Sequence, residues 1–273
     1  MSVSRIKTIA IAALVLINAF FGTLLIFDTA ADANSGREAI ENACAVMNSC
    51  GITIDPDNVK TSGELRTMKT TRGDDVEKQI AQAVLGETNM TVNGVICIYE
   101  NAECGTAEFY SGGDFEIRLN EGVKTSENGT LRTAQVLLRD MGIETASHKF
   151  TPDVESETVT FVGAYKGVSI FNCSIEFFFR NGSLQTIKGR YITGVEPAED
   201  GAEIMQVGTT LLGFLSWVRN GNVECKSINR IEAGYKSIPG SFGEGTIAPA
   251  WLIATDAGQY IIDDATGEIW TIG

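Results

Sequence analysis

The sequence predicts an α+β protein: antiparallel sheets packed with helices, arranged as two similar modules behind an N-terminal transmembrane helix. Three observations carry this. Short strand-like segments separated by glycine turns dominate both halves of the chain. Helical periodicity is confined to a few stretches between them, so strands and helices are partly segregated. The first 34 residues contain an uncharged run from Ile9 to Phe27. At 1.5 Å per residue such a run spans roughly 28 Å, close to the hydrocarbon thickness of a bilayer.

The N-terminal run sets the expected location. Arg5 and Lys7 precede it, and Asp28 and Asp32 follow it. Positive charge before the span predicts a cytoplasmic N-terminus, a lipid bilayer contact through residues 9–27, and an extracytoplasmic bulk at the cell membrane. A cleaved signal peptide is the competing reading, because Ala31-Asp32-Ala33 has the small-x-small form of a cleavage site. The run is, however, longer than the usual signal-peptide core of about 7–15 residues. Within it Asn18 is a polar amide that is costly to leave facing lipid. Ile11, Val15, Asn18, Gly22 and Leu25 recur at spacings of three and four, which makes them a candidate transmembrane partner face.

The remaining chain reads as two modules, 35–147 and 148–273. Ser35-Gly36-Arg37-Glu38 has the form of a capping box. The helix after it should bury Ile40, Ala43, Cys44 and Met47 and stop at Gly51. Ile52-Thr53-Ile54 reads as a short strand, and residues 55–73 mostly as loop. Asp74-Asp75 should open a second helix, with acids where the helix dipole favours them. Val76, Ile80, Ala83 and Val84 form its apolar face, and Gly86 closes it. Strands are expected over 92–99, 106–110 and 115–119, with Ser111-Gly112-Gly113 as a turn, and a third helix over 131–141 followed by Gly142-Ile143.

In the second module, 158–165, 168–180 and 184–192 read as a meander turning at Lys166-Gly167 and Asn181-Gly182, dipeptides suited to turns that need positive φ. A helix is expected over 202–219, and strands over 223–234, 250–255, 260–263 and 268–271. Residues 144–157, holding His148, lack periodicity and read as a linker.

The net charge of −14 repels phosphate backbones and makes nucleic acid an unfavourable partner. A chain with one histidine, His148, has little material for a Ser-His-Asp or Cys-His site. The glycine stretches 111–113 and 240–245 lack the lysine and the strand–loop–helix setting of a phosphate loop. No cofactor or metal is expected, and no catalytic set is read. Asp263 and Asp264 sit in an expected hairpin turn, where Asx bonding accounts for them. Cys97 and Cys104 flank an expected hairpin and could pair; the spacing of Cys44 and Cys50 disfavours a bond. Four Asn-x-Ser/Thr triplets begin at Asn89, Asn128, Asn172 and Asn181.

Both ends of the chain resemble a known family. Ser4-Arg5-Ile6-Lys7-Thr8-Ile9 running into the apolar segment resembles the start of YycI proteins. Ala248-Pro249-Ala250-Trp251-Leu252-Ile253-Ala254-Thr255-Asp256, then Tyr260-Ile261-Ile262-Asp263 and Thr266-Gly267-Glu268-Ile269, is similar to the end of YycI and YycH proteins and also to PepSY repeats. Val3 stands where the family usually has an aromatic residue. The resemblance implies a two-component-system regulator: a membrane-anchored, non-enzymatic accessory protein that contacts a sensor histidine kinase, together with a YycH-like protein, in control of the cell wall. Two other readings stand beside it. One is an exported PepSY-like binding or inhibitor module with another envelope protein as target. The other is an envelope hydrolase built on a carboxylate pair.

Overall fold

The computed structural model describes residues 37–125, 129–199, 204–241 and 243–272. Helix α1 spans 37–49 and buries Ala43, Cys44 and Met47, the face its spacing predicts. It ends in a Schellman turn: Gly51 takes φ 88° and the Ile52 amide donates to the Met47 carbonyl. After β1 (Thr53–Ile54), β2 (Val59–Lys60) and β3 (Met68–Thr71), the chain repeats one pattern three times. Helix α2 (Asp74–Leu85) precedes β4 (Asn89–Asn93), β5 (Ile96–Asn101), β6 (Gly105–Phe109) and β7 (Asp114–Lys124). Helix α3 (Gly129–Met141) precedes β8 (Thr145–Pro152), β9 (Ser156–Tyr165), β10 (Val168–Arg180) and β11 (Ser183–Arg190). After the short β12 (Glu196–Pro197), helix α4 (Val207–Arg219) precedes β13 (Ser227–Pro239), β14 (Glu244–Thr255), β15 (Gln259–Asp263) and β16 (Ile269–Ile272). Each helix thus leads into a four-stranded antiparallel meander.

The first two units join last strand to last strand. Strand β7 pairs antiparallel with β11, with Ile117 opposite Ile187, giving the order β4-β5-β6-β7-β11-β10-β9-β8. Helices α2 and α3 pack side by side on one face of these eight strands. Ile80, Ala81 and Leu85 of α2 and Ala134, Leu138 and Met141 of α3 share one core with Tyr99, Phe109, Ile117, Phe177 and Ile187. The third unit builds a second core, in which α1 and α4 cover β13–β15 through Met47, Leu211, Phe214, Trp251 and Tyr260.

The two parts meet along β10 and β13. Ile170 pairs with Tyr235 in parallel orientation. The Asn172 side chain then extends the seam: it donates to the Ser237 carbonyl and accepts from the Ser237 amide, both at 2.7 Å. Ser169 Oγ adds a bond to Glu232 at 3.0 Å. Strand β13 also receives β1 and β2 in parallel on the edge opposite β14, the one that β10 joins.

These pairings correct the expected fold class. Instead of two modules of antiparallel sheet, the sixteen strands among the described residues form one connected mixed sheet, and strand outweighs helix. The parallel links between distant segments have no local signal, so turn and periodicity patterns could not reveal them.

The expected membrane protein is also corrected. Among the described residues no helix is long and apolar enough to cross a membrane. The signal-anchor reading and the single-pass, extracytoplasmic localisation therefore find no support in this fold. The apolar run 9–27, with Ile11, Val15, Asn18, Gly22 and Leu25, lies outside the described residues.

The supposed linker is strand β8. It pairs with β9, with His148 opposite Phe161, and forms an edge whose side chains are mostly exposed. The strand expected over 92–99 is a hairpin: β4 turns through Gly94, at φ 63°, into β5. Both meanders accordingly have four strands where three were expected. The turns at Lys166-Gly167 and Asn181-Gly182 are as read, with all four residues at positive φ.

Candidate interaction face

Since α2 and α3 lie on one side of the eight-stranded sheet, its other face carries no helix among the described residues. Strand register sets the side chains there in rows. Ile98, Glu108, Glu116, Lys188, Glu176, Thr160 and Lys149 follow one another across seven strands. The adjacent row runs Glu100, Thr106, Arg118, Thr186, Phe178, Thr158 and Thr151. Their in-strand neighbours Phe109, Phe115, Ile117, Ile187 and Phe177 point to the core.

Glu108 and Glu116 stand directly opposite each other, an arrangement that alone is unfavourable. Cations resolve it. Arg118 grips Glu116 and reaches Glu108 at 3.3 Å, Lys188 lies 3.0 Å from Glu116, and the Tyr110 hydroxyl donates to Glu108 at 2.8 Å. Partial burial pushes the Glu116 carboxyl up, but the bonds from Lys188 and Arg118 outweigh it and hold it below the usual range. Two residues further along the same two strands, Arg190 and Asp114 stand opposite each other and form a two-point pair at 2.9 and 2.8 Å. A shallow open depression beside that pair is lined by Asn172, Ser174, Glu176 and Lys188. The face is therefore broad, polar and of mixed charge, with Phe178 as an exposed apolar spot.

The two glycine stretches set aside as phosphate loops come together at the seam. Ser111-Gly112-Gly113 and Gly243-Glu244-Gly245 line a cleft with Arg72, Tyr191 and Ser237. Its free space is about 30 Å³, room for about one water and far below the several hundred Å³ of a small-molecule site. Beneath it lies a saturated polar cluster. Glu77 of α2 is fully buried; the Arg72 guanidinium grips it with two nitrogens, and the Tyr191 hydroxyl donates to it at 2.6 Å. Arg72 also reaches the Val95 carbonyl at 3.2 Å. Its bond to Glu77 raises the Arg72 pKa further, while burial and the same carboxylate push the Tyr191 hydroxyl far up. The cluster ties the end of β3 to α2 and to the end of the second unit.

A second buried set sits in the third unit. Asp263 Oδ1 accepts from the amides of Ala265 and Thr266, the Asx turn that the sequence predicts. Its Oδ2 takes the Lys236 ammonium at 3.3 Å, and Lys236 is 1% exposed beneath the Trp270 ring. Burial pushes Asp263 up, but the Thr266 amide and Lys236 prevail and hold it low. Asp264 points elsewhere. Its Oδ2 accepts from the Met205 amide, while its buried Oδ1 has no hydrogen-bond partner among the described residues, and burial raises its pKa to about 6. Sequence reasoning found the Asx turn and missed the burial, because Lys236 lies in a strand 27 residues away.

His148 sits on edge strand β8 against Phe161, with ring centroids 5.7 Å apart. The six cysteines are free thiols, so Cys97 and Cys104 do not pair. Among the described residues, no cluster of three or more His, Cys, Asp or Glu side chains could hold a metal ion.

No family model matches the chain, and no curated protein matches it. Solved structures do. A protein from Eubacterium rectale ATCC 33656 of uncharacterized function aligns at 10% identity over 81% of this chain and 93% of its own, with a TM-score of 0.52. This fold therefore exists in another protein. The Bacillus megaterium YpeB C-terminal domain is similar at 14% identity over 75% of this chain and 99% of its own, with a TM-score of 0.38, too low to carry a fold argument. Neither likeness points to YycI in particular.

Proposed function

We propose that this protein works by protein–protein contact, through the helix-free face of its eight-stranded sheet, as an accessory protein whose partner is a sensor histidine kinase. The kinase comes from the terminal resemblance to YycI and YycH proteins. The observation that supports contact is the ordered charged face itself. Arg118, Lys188, Glu108, Glu116 and Glu176 are held in register on a rigid sheet, and rigid placement lowers the entropy cost of binding. Complementary charge on a partner would set register and selectivity. Regulation of a kinase needs differential affinity for two of its states and no chemistry by the regulator.

The threefold helix–meander pattern, with the PepSY-like tail, favours a second reading: a repeat-built binding module with another protein as target. Affinity capture from the cells that make the protein separates the two. A histidine kinase recovered with the wild type and lost with Arg118→Glu/Lys188→Glu supports the regulator. A different protein, lost in the same variant, supports the binding module. Equal recovery with both proteins would rule out this face as the contact.

A further inference from the structure

Among the described residues strand β4 is the outer edge of the eight-stranded sheet, and all five of its residues are exposed. Natural edges are usually guarded by charge, proline or a bulge. The opposite edge, β8, has such guards: His148, Lys149, Pro152 and a register shift between Thr145 and Ser147. Strand β4 has none. It is Asn89-Met90-Thr91-Val92-Asn93, without charge, and it pairs with β5 in unbroken register.

Its sequence is nearly the same read in either direction about Thr91. The two-residue turn makes Asn93 and Ile96 a hydrogen-bonded pair, so Asn93, Thr91 and Asn89 bond to β5. The amides and carbonyls of Met90 and Val92 then point to the free edge. Met90 lies opposite Tyr99 and Val92 opposite Cys97, which puts both side chains on the helix-covered face, yet they remain 47% and 62% exposed.

We propose that β4 pairs antiparallel with β4 of a second copy of this chain, on a two-fold axis through Thr91. In that register Met90 meets Val92 of the second copy twice, and the outward backbone groups of each pair exchange both hydrogen bonds. Thr91 meets its own copy in a non-hydrogen-bonded pair, and Asn89 meets Asn93. Every contact is like with like in polarity, as an isologous interface requires. The occupant is a second copy because this self-matching is a property of the strand's own sequence. A chain of charge −14 repels itself, and β4 supplies an uncharged strip for contact. Association should therefore strengthen with added salt, which screens the repulsion. The dimer would continue the sheet and present two helix-free faces side by side.

Cysteine cross-linking tests the register on the whole chain. Cα atoms of a non-hydrogen-bonded pair lie about 4.5 Å apart, within disulfide range. Under copper-phenanthroline oxidation, Thr91→Cys should give a covalent dimer on a non-reducing gel well above the wild-type background from its own thiols. Asn89→Cys, which would face Asn93, should not. Sedimentation velocity of the unmodified protein should show a dimer favoured by salt and lost in Val92→Pro, where the ring replaces an outward amide that the fold does not use. A wild type that stays monomeric at all salt concentrations overturns the proposal. So does equal cross-linking of Thr91→Cys and Asn89→Cys.

Discussion

The side-chain amide of Asn172 takes the place of a backbone unit opposite Ser237, donating to its carbonyl and accepting from its amide at 2.7 Å each. One residue pair, Ile170 and Tyr235, starts the parallel seam between the two halves of the sheet, and this side chain prolongs it. Asn172→Asp keeps the acceptor and loses the donor. We expect it to cost about 1–3 kcal/mol, the penalty for a partly buried carbonyl left without its bond. Urea unfolding followed by tryptophan fluorescence measures the loss.

Gly234 lies at the same seam. A Cβ there would stand 2.5 Å from the Phe171 ring and 2.7 Å from the Ser169 carbonyl. Gly234→Ala should destabilise by about 1–3 kcal/mol through overpacking. Thermal melts of Gly234→Ala and the double variant Gly234→Ala/Phe171→Leu check the cause: the smaller side chain should recover part of the loss.

Glu77 shares its carboxylate between Arg72 and the Tyr191 hydroxyl in a fully buried position. Removing its charge leaves Arg72 without its counter-ion. Glu77→Gln should cost about 3 kcal/mol or more, and Tyr191→Phe about 1 kcal/mol. Chemical denaturation of both variants gives the order, and equal losses would contradict it.

Asp264 provides a pH signature. Its folded-state pKa is raised to about 6 from an ordinary 3.8. Between those values the folded chain binds the proton that the unfolded chain has released, so this group's contribution to stability falls as pH rises from about 4 to 6. Asp263, held low, acts oppositely: its contribution is present above its ordinary pKa and is lost as pH falls through its folded value. Asp264→Asn should remove the fall between about pH 4 and 6 and leave the acid-side loss. Melting temperatures from pH 2 to 8 test this.

The sequence made some parts of this fold legible and hid others for physical reasons. Helix ends were clear because Gly51 and Gly142 each supply positive φ, and Ile52 and Ile143 bond back in the same way, to Met47 and Leu138. The turns at Lys166-Gly167 and Asn181-Gly182 were clear for a similar reason. Strands β4 and β8 were lost because edge strands with exposed side chains carry no apolar alternation. The interaction face was hidden too. Its rows join residues of seven strands, and only their register puts Glu116 beside Lys188 and Arg118. The burial of Lys236 and Asp264 depends on contacts across the third unit, with Asp263, Trp270 and Met205, which no local pattern records.

The charged rows are surface pairs, each worth about 1 kcal/mol or less to the fold, so they can be altered without unfolding the protein. A photo-crosslinking residue placed at Thr186 or Thr106, on the helix-free face, or at Lys78, on the exposed side of α2, tests the contact directly in cells. The account predicts one and the same covalent partner from Thr186 and Thr106, and none from Lys78. A partner captured from Lys78 but from neither threonine would contradict it.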